Sequence, residues 1–173
     1  MENMILGACM VPHPPLIVPA VGGGEERRIQ DTIRAYRKAA AQAAALKPET
    51  VIILSSHVEM YRNYFHIAPG ESAEGSFQAF GAPQERVSVT YDAPLVQEIC
   101  RQAERCSLPA GTEGEKSPEL DHATMIPLIF LNQVFSGYRV VRIGISGLPY
   151  EEHFRLGRCI RRAAEALKRR VYV

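Results

Sequence analysis

Thr50-Val-Ile-Ile-Leu-Ser-Ser56 is the stretch on which the fold turns. It is β-branched and apolar throughout and reads as the clearest strand of the chain. Working upstream, Pro48 closes a helix expected over residues 25–46, where Ile29, Ile33, Tyr36, Ala40 and Ala43 recur at spacings of three and four. Arg27, Arg28, Arg34, Arg37 and Lys38 lie mostly off that stripe. A Pro- and Gly-rich loop, 12–24, precedes the helix. Before it, residues 4–11 form an apolar run that reads as a strand buried on both faces, with Cys9 as a small core residue. The order is strand, helix, strand, with a crossover long enough for a right-handed parallel unit.

Downstream, residues 64–68 suggest a short strand and 69–86 a loop. Val87, Val89 and Tyr91 alternate with Ser88 and Thr90, as in a half-exposed strand. Asp92 caps a helix expected near 93–106, with Leu95, Ile99 and Ala103 on its buried side. After a loop at 107–119, Asp121 opens an apolar helix over about 122–135, interrupted by Pro127. A strand follows at 138–146, then a helix at 150–169 with Phe154, Leu156, Ile160, Ala163 and Leu167 as core candidates. Val171-Tyr-Val173 is strand-like again. Strands and helices alternate without repeats, which predicts an α/β fold: a mainly parallel central sheet flanked by helices, in one domain over residues 1–173.

The 20 basic and 19 acidic residues nearly cancel, which argues against a general nucleic-acid binder. No uncharged apolar run approaches the about 18 residues of a membrane span, and no basic segment precedes the first apolar run as in a secretory signal. Cys9, Cys100, Cys106 and Cys159 lack CxxC spacing and fit reduced thiols in a cytoplasmic protein. Gly22-Gly-Gly-Glu-Glu is no dinucleotide fingerprint, and no GxSxG elbow supports Ser55 or Ser56 as a nucleophile.

The five histidines carry the chemical signal. His13 follows the first strand and His57 the second, and parallel strands bring both to the carboxyl edge of the sheet, where α/β proteins bind ligands. Neutral imidazole suits iron, zinc, copper or nickel, so the pair is a candidate metal site. Either His alone would read as an ordinary loop residue. His122 sits beside the capping Asp121, where the helix dipole disfavours its charged form and tunes it for proton transfer. His66, in an apolar strand, reads as a satisfied core residue, and His153, beside Glu151 and Glu152, as solvent-facing.

Val11-Pro12-His13-Pro14-Pro15, Ser55-Ser56-His57 and Asp121-His122-Ala-Thr-Met-Ile-Pro127-Leu128, in this order, resemble the class III extradiol ring-cleavage dioxygenase superfamily. Met60-Tyr61, Tyr64-Phe65-His66-Ile67-Ala-Pro69-Gly70, Phe80-Gly81-Ala82-Pro83, Gly114-Glu115-Lys116 and Ile145-Ser146-Gly147-Leu148 are similar to its branch in AmmeMemoRadiSam-system proteins. The resemblance implies that His13 and His57 ligate a non-haem Fe(II), with Cu or Zn as alternatives. It gives His122 the place of a pocket His that donates a proton or hydrogen bond, with Asp121 orienting it. Ala123 stands where a Gly is common, and His66 belongs to the pattern without a ligand role.

The implied substrates are a catechol-like aromatic diol and O2, with both oxygen atoms entering the ring-opened product. A radical-SAM system partner and a homo-oligomer are also expected. In the family, a second catalytic His and the carboxylate ligand lie beyond the segment corresponding to residue 173. The expectation is therefore a C-terminally truncated domain, inactive in this form. Glu59 and Asp121 are nearby carboxylates to which the family gives no ligand role. Two other readings compete: a Memo-like metal- or redox-binding protein without ring cleavage, and a non-catalytic interaction module.

Overall fold

A computed structural model describes residues 3–173. Its central sheet has four parallel strands, in the spatial order β1 (Ile5–Gly7), β8 (Val171–Tyr172), β2 (Thr50–Ser55) and β7 (Arg139–Gly144). Side chains alternate across β2 and β7, as the period of two demands. Ile52, Val141 and Ile143 pack, with Val171, against helices α3 (Ala93–Arg105) and α5 (Tyr150–Leu167). Val51 and Val140 face the other way, toward α2 (Gln30–Ala45) and α4 (His122–Asn132). The result is the expected α/β sandwich with its parallel sheet covered on both sides.

The predicted stripe of α2 is buried at Ile33, Tyr36, Ala40 and Ala43, and its three basic residues, Arg34, Arg37 and Lys38, are exposed, as are Arg27 and Arg28 before it. The segment before it, Glu25–Ile29, winds as a 3-10 helix rather than as part of α2, and a one-turn helix α1 (Pro19–Gly22) stands within the Pro/Gly loop. Asp92 and Asp121 cap α3 and α4 as expected, accepting the N–H groups of Leu95 and Thr124. Helix α4 is apolar nearly all round because it is enclosed. Met125, Ile126, Leu128 and Phe130 meet α2 on one side and a β-hairpin on the other.

That hairpin corrects the reading of 69–86 as a loop. Strands β4 (Ser72–Phe77) and β5 (Ala82–Thr90) pair antiparallel, with Phe77, Ala82 and Val87 buried against α4. β4 is polar apart from Ala73, Gly75 and Phe77, so it carries little strand signal of its own. A further parallel pair joins β3 (Phe65–His66) to β6 (Ala110–Gly111).

Other expectations fail at the edges of elements. β1 covers only three residues and is half-buried, so Cys9 falls outside it and is exposed. Phe154 is 71% exposed and Leu167 also faces solvent, because α5 buries Leu156, Cys159, Ile160, Ala163 and Ala164 instead. His153 is half-buried, with its ring edge-on to Phe65 at 4.8 Å. The segment 171–173 is strand-like as expected, and its place is interior: β8 lies between β1 and β2.

Candidate metal centre

The three histidines singled out in the sequence converge. His13 Nε2 and His57 Nε2 are 3.2 Å apart. The His122 ring lies 4.4 Å from that of His57 and 5.7 Å from that of His13, centroid to centroid. One nitrogen from each of the three rings falls within a common 4.8 Å. The group contains three imidazoles and no carboxylate.

Each ring is delivered by a different element. His57 follows β2 in a turn whose backbone is fixed by Ser55, the Ser55 Oγ accepting the His57 N–H at 3.0 Å. His13 lies on the loop after β1, and the Tyr36 hydroxyl of α2 donates to the Pro12 carbonyl beside it. Burial pushes the Tyr36 phenol up, with the nearby Cys9 adding to the effect, so it stays a donor. His122 is the first residue of α4.

Asp121 does not touch the His122 ring by hydrogen bond. Its carboxylate accepts from Thr124 N–H at 3.0 Å, from the Thr124 hydroxyl at 2.7 Å and from the Ser55 hydroxyl at 3.4 Å. Its geometric task is to cap α4 and join it to β2. Its charge does reach the ring. Burial and then the neighbouring His57 press the His122 pKa below its ordinary 6.5; Asp121 opposes the shift and His13 adds to it. The His122 ring is thereby biased to the neutral form.

Phe80 has its ring edge-on to His122 at 5.1 Å. It comes from the turn between β4 and β5, where Gly81 takes a positive φ of 79°. In the sequence Phe80-Gly81 is only one piece of a pattern, with nothing to tie it to His122. The hairpin explains how a residue so far from His122 along the chain comes to wall it. Beside His13 a cleft of about 470 Å³ runs between α2, α4 and the sheet, lined among others by Tyr36, Ala40, Ile53, Leu128 and Tyr172.

The donor set fits a divalent transition ion. Two ligands each ~2.1 Å from one ion stand roughly 3–3.5 Å apart at tetrahedral or octahedral angles, which is the His13–His57 spacing. Glu59, a carboxylate near His57 in sequence, turns instead toward His66: its Oε2 is 3.7 Å from His66 Nε2. Among the described residues no helix is long and apolar enough to cross a membrane.

Comparison with known proteins agrees with this geometry. Residues 7–173 match the family described as the catalytic LigB subunit of aromatic ring-opening dioxygenase. Protein CA_C1420 of Clostridium acetobutylicum is 33% identical over 168 residues, which cover 93% of this chain. The chain spans 36% of that protein's length. With three histidines gathered at the carboxyl edge of a parallel sheet and a match running almost end to end, this chain belongs to the LigB family of aromatic ring-opening dioxygenase catalytic subunits.

Proposed function

We propose that the chain carries the imidazole part of a non-haem ferrous centre that opens the ring of a catechol-like diol with O2. His13 and His57 would hold the ion. When bound, Fe(II) would supply Lewis acidity toward the diol oxygens and electrons toward O2. The observation that carries the reading is the 3.2 Å approach of the two Nε2 atoms, with a third ring alongside.

The remaining steps belong to the protein. His122, biased to its neutral form, accepts the proton that a diol hydroxyl gives up on binding and returns it to the opened product. Phe80 on one side and the apolar cleft beside His13 on the other suit an aromatic ring. Asp121 and Ser55 hold His122 and His57 in register from beneath. A radical-SAM class partner and a homo-oligomeric assembly, implied by the likeness to the AmmeMemoRadiSam branch, belong to the same proposal.

The test is anaerobic Fe(II) titration followed by oxygen uptake with a series of catechols, on this chain and on the protein extended beyond residue 173. Stoichiometric Fe(II) binding and catechol-dependent oxygen uptake in the extended protein are expected. Absence of Fe(II) binding in both would overturn the proposal. The all-imidazole donor set also favours a second reading, a copper- or zinc-binding protein without ring cleavage. Tight copper binding with no catechol turnover in the extended protein would select it.

A further inference from the structure

We propose that Glu59, His66 and Glu115 form a second cation site, sharing no residue with the three-imidazole centre, that takes a divalent first-row transition ion of the zinc class. His66 is fully buried on β3. Its Nε2 is 3.7 Å from Glu59 Oε2 and 3.8 Å from Glu115 Oε1, and the three donor atoms lie within 4.8 Å of one another.

The hydrogen bonding of His66 fixes its tautomer. Its Nδ1 is 3.1 Å from the Glu113 carbonyl, which can only accept, so Nδ1 carries the proton. In a neutral ring Nε2 then bears a lone pair, and that lone pair points between two carboxylates. Nε2 has no hydrogen-bond partner, and separations of 3.7–3.8 Å are too long for a direct bond. A buried lone pair facing anions is repulsive unless something positive lies between them.

Neither neighbouring cation is bonded to His66 Nε2. Arg142, itself buried, binds Glu115 Oε1 at 2.9 Å and also donates to the Glu119 and Ser117 carbonyls. Lys116 Nζ stands over the Tyr61 ring at 5.2 Å. Tyr91 Oη and Arg142 Nε, also buried, lack partners too, and Tyr91 feels the charges of both Arg142 and Glu115. An ion between the two carboxylates would give the His66 Nε2 lone pair its missing partner.

The cage is pre-arranged. Glu59 Oε1 accepts the Lys116 and Ser117 N–H groups, each at 2.8 Å, which leaves Oε2 turned to His66. The Nδ1–H bond to a backbone carbonyl is the outer contact that orients ligating histidines. Mixed nitrogen and carboxylate donors suit Zn²⁺ or Mn²⁺ over Mg²⁺ or Cu⁺. Glu59 lies two residues after His57 and Glu115 six before Asp121, so a bound ion would clamp together the segments that carry His57 and His122.

The first experiment uses the protein with His13→Ala and His57→Ala, which removes the three-imidazole centre. After chelator treatment it is titrated with Zn²⁺ in a calorimeter. One equivalent is expected to bind, with affinity falling at least ~10-fold on adding Glu59→Gln or Glu115→Gln, while circular dichroism shows the fold retained. No zinc uptake by the folded double variant, or uptake indifferent to both Glu→Gln changes, would overturn the site. Crystals of the unsubstituted protein grown with Zn²⁺ provide a test independent of any variant. An anomalous peak bonded to His66 Nε2 supports the site. Density there without anomalous signal means water and refutes it, as does a ¹⁵N NMR signature of a doubly protonated His66 that zinc leaves unchanged.

Discussion

The Ser55 hydroxyl reaches the Asp121 carboxylate at 3.4 Å while accepting the His57 N–H at 3.0 Å, so one small side chain ties the end of β2 to the start of α4. Ser55 is buried, and removing its oxygen leaves the His57 N–H without its partner. Ser55→Ala is expected to cost ~1–2 kcal/mol and to weaken Fe(II) binding by about 10-fold. Thermal denaturation and metal titration read the two effects separately. A variant with native stability and native metal affinity would show that the bridge does not position His57.

The His13–His57 contact makes an asymmetric prediction. Replacing either ring with Ala removes half of the proposed ligand pair, so Fe(II) affinity falls by more than the ~10–100-fold loss typical of outer contacts. Both side chains reach the surface, so the melting temperature of the metal-free protein should hardly move. A large drop in stability would instead assign the pair a structural task.

The pH dependence of the metal-free protein follows from His122. Its folded pKa lies below its ordinary 6.5, because burial and His57 disfavour the charged ring. The unfolded chain therefore takes up the proton first as pH falls. The stability that goes with a neutral His122 is present above pH 6.5 and is lost as pH falls through the folded value. Melting temperature should decline in that window, and His122→Gln should flatten the decline. Asp121→Asn should steepen it, since Asp121 is the group that opposes the shift. An unchanged slope in both variants would refute the assignment.

Gly75 sits where β4 crosses the chain just before Asp121. A Cβ placed there would meet the Leu120 carbonyl oxygen at 2.4 Å, and backbone cannot yield as a side-chain tip can. Gly75→Ala is expected to destabilise by ~1–3 kcal/mol. It should also shift His122, because the Leu120 N–H is bonded to the Glu74 carbonyl and moves with the hairpin. Chemical-shift changes at His122 in NMR spectra check the second effect, and an undisturbed His122 signal would count against it.

The parts of this architecture legible in the sequence are those with a strong local signature. Thr50–Ser55 is apolar without interruption, α2 has its stripe, and Asp92 and Asp121 cap their helices through contacts three residues away. Ser72–Phe77 is illegible because its strand character comes from packing: Gly75 and Phe77 are buried only because α4 and the 120 segment lie over them. The three-imidazole centre can be anticipated because strand ends in a parallel sheet share an edge. The Glu59–His66–Glu115 group cannot, since Glu59 and Glu115 stand on irregular segments whose approach depends on Arg142 and on backbone N–H groups. His66 does carry one signal, a polar ring inside an otherwise apolar strand.

The pairing of Ile5 with Val171 has a consequence in time. Among the described residues β1 has no strand partner but β8, so the loop bearing His13 has no sheet to rest on until residues 171–172 have left the ribosome. His57 and His122 meet through Ser55 and Asp121 long before that. Contacts so distant in sequence form late. The growing chain is thus expected to complete its metal-binding geometry only once residue 172 has emerged from the ribosome. A ribosome-bound chain halted short of that point should be cut by protease around residue 13 while its α2–α4 core stays protected.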